Sequence, residues 1–125
     1  MKLVIGGAFQ GKVDYSRERY GIDLWADGRS CQWDEIFRTK GVHHFHEYIK
    51  RMLKEGKETS DLVERLAERN PDIVIVSTEL GYGVVPVEAF DREYRETTGR
   101  ICTKVAAISS EVIRVVCGIG QVIKG

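Results

Sequence analysis

Apolar residues fall in two kinds of run along this chain, short β-branched clusters and segments with helical spacing, and the two kinds alternate. Leu3-Val4-Ile5 is a short cluster ending at Gly6-Gly7, the pattern of a buried strand that stops at a turn. The polar stretch from about Gly11 to Tyr20 predicts a helix capped by Gly21. Ile22-Asp23-Leu24-Trp25 alternates and predicts a second strand. From Ala26 to Thr39 no period emerges, Asp27-Gly28 marks a turn, and the stretch reads mostly as loop. Phe45, Tyr48, Ile49, Met52 and Leu53 then define one face of a helix that Gly56 ends. Ser60 is the expected N-cap of a further helix carrying the stripe Leu62, Val63, Leu66 and Ala67, and Asn70-Pro71 stops it.

Ile73-Val74-Ile75-Val76 is apolar on both faces, as a central parallel strand should be. A loop with Gly81, Gly83 and Pro86 follows. Val87 to Ala107 predicts a helix with a break at Thr98-Gly99. Glu111 to Val116 predicts a strand, Gly118-Ile119-Gly120 a turn, and Gln121 to Lys124 a last strand. The alternation implies an α/β fold, a mainly parallel sheet with helices on both faces, in one domain over residues 1–125. Ligands of such sheets bind beyond the carboxyl ends of the strands. The loops that matter are therefore those after Ile5, near His43, after Val76 and after Val116.

Composition narrows the partners. The 125 residues carry a formal net charge of zero, which speaks against a general nucleic-acid surface. Any anion site must be local. The three cysteines, Cys31, Cys102 and Cys117, form no CxxC pair and read as reduced thiols of a cytoplasmic protein, the latter two as small buried residues. No apolar run approaches the ~20 residues that span a bilayer. The amino terminus reads as a first strand rather than a signal peptide.

Three strand-end loops carry candidate chemistry. Gly6-Gly7-Ala8-Phe9-Gln10-Gly11-Lys12-Val13 fits GxxxxGK between a strand and a helix. Glycines let the backbone amides curl toward phosphate oxygens, the helix start adds positive potential, and Lys12 adds a point charge. The last position, where Ser or Thr would hold Mg²⁺, is Val13. All three histidines, His43, His44 and His46, lie in the second loop, where imidazoles suit a transition metal, a general base or a nucleophile. In the third loop Glu79 follows the buried strand, poised for a metal or a proton. Arg92, Arg95 and Arg100 follow on the next helix, mostly as a solvated face, with one arginine open to phosphate.

Together these residues resemble the bifunctional adenosylcobinamide kinase/adenosylcobinamide-phosphate guanylyltransferase family. The most specific stretch is Val74 to Pro86, an apolar strand followed by Glu79-Leu80-Gly81-Tyr82-Gly83-Val84-Val85-Pro86. Tyr94-Arg95-Glu96 with Gly99-Arg100, Val115 to Gly120 with Lys124, and Gly6 to Lys12 match as well. The resemblance implies a RecA-like P-loop fold and a place in cobalamin (vitamin B12) biosynthesis. It implies phosphorylation of adenosylcobinamide with GTP or ATP, then transfer of GMP through a guanylylated histidine. On it, Gly6 to Val13 bind the nucleotide, with Lys12 at the phosphates; the strand-end loops themselves offer Lys12, Glu79, His43 and His46 as the catalytic candidates. Gly81, Gly83, Arg95 and Arg100 face the substrate.

Departures qualify this. Val13 replaces the metal-binding Ser, and His43 falls on the family's acidic position and His46 on its threonine. The expected Ser and Asp ligands of Mg²⁺ are thus both absent. The stretch holding the family's guanylylated histidine, ahead of His43, is missing, and Cys102-Thr103 stands for Asn-Gln. A soft metal on His43 and His46 is one substitute, Glu79 another. The alternative reading is a catalytically degenerate protein that holds a nucleotide or a cobinamide-type corrinoid without turnover. A homo-oligomer is allowed if Phe45, Tyr48 or Phe90 is exposed, and neither nucleic acid nor membrane is an expected partner.

Overall fold

The strands begin or end mostly at the glycines and polar breaks that interrupt the apolar runs. The computed structural model describes residues 1–8, 10–80 and 88–125. In chain order these form β1 (Lys2–Gly6), α1 (Lys12–Tyr20), β2 (Ala26–Asp27), a 3-10 turn at Glu35–Phe37, β3 (Gly41–His43) and α2 (Phe45–Lys54). There follow α3 (Leu62–Arg69), β4 (Val74–Thr78), α4 (Ala89–Ile108), β5 (Glu111–Val116) and β6 (Ile119–Lys124). The strands make one sheet in the order β2-β3-β4-β1-β5-β6. Every pair is parallel except β5–β6. This is the α/β architecture of the P-loop fold, with β1 at the centre.

Period-two alternation in the central strands buries both faces. Leu3, Ile75 and Val112 point to the side covered by α2, α3 and α4, where they meet Ile49, Leu66 and Val105. Val4, Val74, Val76, Ile113 and Val115 point to the other side, where α1 lays Val13, Tyr15 and Tyr20 against them. Each fully buried Leu, Ile or Val contributes roughly 1.5–3 kcal/mol over its exposed state, so these two layers set the sheet order. No helix among the described residues is long and apolar enough to cross a membrane.

Several expectations are corrected here. Residues 22–25 are not a strand, and the second strand is Ala26–Asp27. Ile22 turns into the core instead, Trp25 Nε1 donates to the Ile22 carbonyl at 2.8 Å, and Leu24 is left exposed. The cap of α3 is Asp61 rather than Ser60. α4 runs through Thr98 and Gly99 without a break, because Thr97, Thr98, Ile101 and Val105 keep one buried face. The β5–β6 turn is Cys117-Gly118, with φ of 51° and 77°, while Ile119 and Gly120 belong to β6. Two positive φ values are the geometry of a tight two-residue hairpin. That turn puts Cys117 in solvent, not in the core, and Cys102 is only partly covered. Phe45 and Tyr48 are buried within the core and offer no subunit contact. Besides Leu24 and Ile108, the exposed large apolar residues lie on the hairpin, as Val116, Ile119, Val122 and Ile123.

Candidate functional site

Parallel pairing of β1 with both β4 and β5 brings three strand ends to one rim, and the β1–α1 loop sits at its centre. Gly6 closes β1 beside Val115, whose carbonyl would lie 2.5 Å from any Cβ at this position. Gly11 takes φ 78° just before α1, a conformation that favours glycine. Gln10 fastens the loop to the hairpin turn: Cys117 N–H donates to Gln10 Oε1 at 2.6 Å, and Gly118 N–H to the Gln10 carbonyl at 2.8 Å. The first amides of α1 have no intrahelical acceptor and point from the helix start.

Lys12 is buried, and its ammonium donates to the Gly7 carbonyl at 2.7 Å. Burial pushes its pKa down and nearby Glu79 partly offsets this. Ser16, one turn on, donates to the Lys12 carbonyl at 2.7 Å and does not face the loop. A pocket of about 370 Å³ opens between the loop and the histidine segment, lined by Lys12, Val13, Asp14, His44, His46 and Thr78 among others.

His46 lies against β4, where Thr78 N–H donates to its Nδ1 at 3.2 Å. Burial holds its pKa down at about 4, so near neutrality the ring is uncharged. With Nδ1 accepting, the proton of the neutral ring sits on Nε2, 3.9 Å from Glu47 Oε1. Such a ring presents a hydrogen-bond donor rather than a free lone pair. His43 ends β3 opposite Asp27 of β2. His44 adopts φ 53°, and its Nδ1 lies 2.6 Å from that of His43. Burial lowers the pKa of both rings. Burial alone would raise the Asp27 carboxyl, but hydrogen bonds from the Arg29 side chain and backbone outweigh it and hold the group at about 2.

Glu79 stands one residue beyond β4. Its N–H donates to the Gly6 carbonyl at 2.8 Å, and its Oε1 accepts from Arg114 Nε at 3.1 Å. With Leu3, Thr98, Gly99 and Cys102 it lines a second cavity of about 350 Å³ under α4. Lys12, Glu79 and His46 are thus brought to one rim. Arg95 lies partly buried on α4. Arg100 is exposed and lines a separate groove with Ser60, Glu93 and Lys104, away from the loop. Phe9, Gly81 and Gly83 lie outside the described residues.

Sequence reasoning missed Asp14, Asp27 and Arg114 as site neighbours. Asp14 had a usable signal, its place in the first turn after Lys12. Arg114 interrupts the apolar run of β5, a second usable signal. Asp27 had none, because only its pairing with β3 brings it to His43.

Residues 37–123 match the family model described as CobU, cobinamide kinase/cobinamide phosphate guanyltransferase. The chain is 42% identical over 52 residues to the bifunctional adenosylcobalamin biosynthesis protein CobU of Escherichia coli (strain K12). It matches the protein of that name from Salmonella typhimurium (strain LT2) to the same degree. The alignment takes in 42% of this chain and 29% of each relative, so it spans less than a third of the relatives' length.

Proposed function

This chain belongs to the cobinamide kinase/cobinamide phosphate guanyltransferase family, and we propose that it binds a nucleoside triphosphate through its β1–α1 loop in adenosylcobalamin biosynthesis. One observation carries the reading. A GxxxxGK loop closes the central strand and feeds a helix, with Lys12 and the Gly11-capped helix start at the mouth of one pocket. Phosphate oxygens would take the Lys12 ammonium from the Gly7 carbonyl and accept the free amides of α1. The neutral His46 would donate from Nε2. Glu79, oriented by Arg114, would stand beside the acceptor alcohol of a cobinamide-type corrinoid, which makes the active form a kinase or nucleotidyltransferase using GTP or ATP.

The donor set for Mg²⁺ is a poorer fit. Val13 is a hydrocarbon at the position where a hydroxyl would be needed. Asp14 is exposed and pairs with Arg17 at 3.4 Å, and Glu79 is engaged by Arg114. Val13 therefore favours a second reading, a nucleotide or corrinoid binder without turnover.

Calorimetry with GTP and with ATP, each with and without Mg²⁺ and cobinamide, separates the two. Mg²⁺-dependent affinity coupled to cobinamide supports the transferase, and Mg²⁺-blind affinity supports the binder. Lys12→Ala should weaken nucleotide binding by roughly 10–100-fold, the worth of a hydrogen bond to a charged group. Unchanged affinity in that variant rules out the loop as the phosphate site.

A further inference from the structure

We propose that Asp27, His43 and His44 form a site for a divalent transition metal of the zinc class, separate from the nucleotide reading and independent of it. Three backbone features bring the donors together. Parallel pairing of β2 with β3 sets Asp27 directly opposite His43. Neighbouring strand residues normally point to opposite faces, but φ 53° at His44 turns its ring back toward His43. Gly28 permits the approach, since a Cβ there would lie 2.1 Å from the His44 carbonyl oxygen. One donor atom from each of the three residues lies within 4.8 Å of the other two.

The spacing suits a small tetrahedral ion. Ligands about 2.0–2.2 Å from zinc stand roughly 3.3–3.5 Å apart at tetrahedral angles. His44 Nδ1 and Asp27 Oδ1 are already 3.5 Å apart. The two imidazole nitrogens, at 2.6 Å, need to open by less than about 1 Å, within reach of a small ring rotation. Two imidazoles and one carboxylate select first-row transition ions over Mg²⁺ or Ca²⁺, which take oxygen ligands. Arg29 also holds the carboxylate in place: its backbone N–H and Nε donate to Oδ1 at 2.9 and 3.1 Å, and Nε and Nη2 donate to Oδ2 at 3.1 and 2.9 Å, which leaves Oδ1 a remaining lone pair for an ion. Outer hydrogen bonds of this kind fix the ligands of metal sites. Three protein ligands leave a fourth position for water or an anion. His44 also lines the pocket that holds Lys12.

The test uses the full chain, stripped of metal by chelator and free of nucleotide. Zn²⁺ is titrated by calorimetry and Co²⁺ by visible absorption. The expected result is one ion per chain, with the ligand-field bands of low-coordinate cobalt. Affinity should fall by at least ~10-fold in each of His43→Gln, His44→Gln and Asp27→Asn, and stay unchanged in Cys117→Ser. Absence of binding, or binding that survives both histidine changes, overturns the site. Should the variants fail to fold, the imidazole ¹⁵N resonances of the unsubstituted chain decide between the outcomes. Zn²⁺ must move the Nδ1 signals of His43 and His44, and signals that stay in place refute the assignment.

Discussion

At Gly6 the carbonyl of Val115 occupies the space any side chain would need, and the Lys12 stem lies 3.3 Å away on the same side. A single methyl here would push β1 from β5 or swing Lys12 off the loop. Overpacking of this kind costs about 1–3 kcal/mol. Gly6→Ala should therefore lower the urea midpoint and weaken nucleotide binding together. A variant with native stability would mean that the strand end is looser than the close approach to Val115 implies. The same residue explains why the glycine loop could be read from sequence: its glycines are required by local backbone geometry, and local requirements leave a spacing pattern. Asp27 acts through its cross-strand neighbour His43, and a pairing between distant segments leaves no such pattern.

Elements show the same division. The helical spacing of Phe45, Tyr48, Ile49 and Met52 is α2 as built, since the buried face and the period are one fact seen twice. β2 escaped notice because two residues are too short to alternate, and its existence depends on β3. Gly99 suggested a break in α4, yet the flanking buried residues outweigh its low propensity. A Cβ at Gly99 meets nothing within 4 Å. Gly99→Ala should raise stability by about 0.5–1 kcal/mol in chemical denaturation. No gain would mean that the helix is distorted at that turn.

α1 is tied to β5 by Arg19, whose guanidinium meets both oxygens of Glu111 at 2.8 and 2.9 Å, with Tyr20 also donating to that carboxylate. The hydrogen bond from Arg19, then that from Tyr20, pulls the Glu111 pKa from 4.5 down to about 2. Because the folded value is the lower one, the contribution is complete above pH 4.5 and is lost as pH falls toward 2. The pair lies at the surface, so its worth is about 1 kcal/mol. Glu111→Gln should be destabilised by that amount at pH 7 and approach the unsubstituted chain near pH 2. An equal deficit at both pH values would mean that charge is not what the contact uses.

For the molecule as a whole, sheet order decides which distant segments become neighbours. Placing β1 between β4 and β5 puts the glycine loop, Glu79 and the hairpin turn on one rim, although the three are far apart in sequence. The fold class was legible because strand and helix patterns alternate along the chain. The rim's membership was legible only in outline, through the rule that ligands sit at carboxyl strand ends. Family membership rests on a match that covers residues 37–123 and so begins after the glycine loop. The loop's geometry and the family's match thus support the nucleotide reading from two non-overlapping parts of the chain.

The clasp between Gln10 and the hairpin turn has a kinetic consequence. Among the described residues, both amides of that turn, those of Cys117 and Gly118, are held by Gln10, a residue of the glycine loop. Their exchange with deuterated solvent is therefore gated by how often the loop loosens, not by the opening of β5 or β6. Anything that stills the loop should slow exchange at these two amides and leave the rest of the hairpin unchanged. Mass spectrometry of the C-terminal peptide, with and without GTP, would then read occupancy of the loop from a segment that lies outside it.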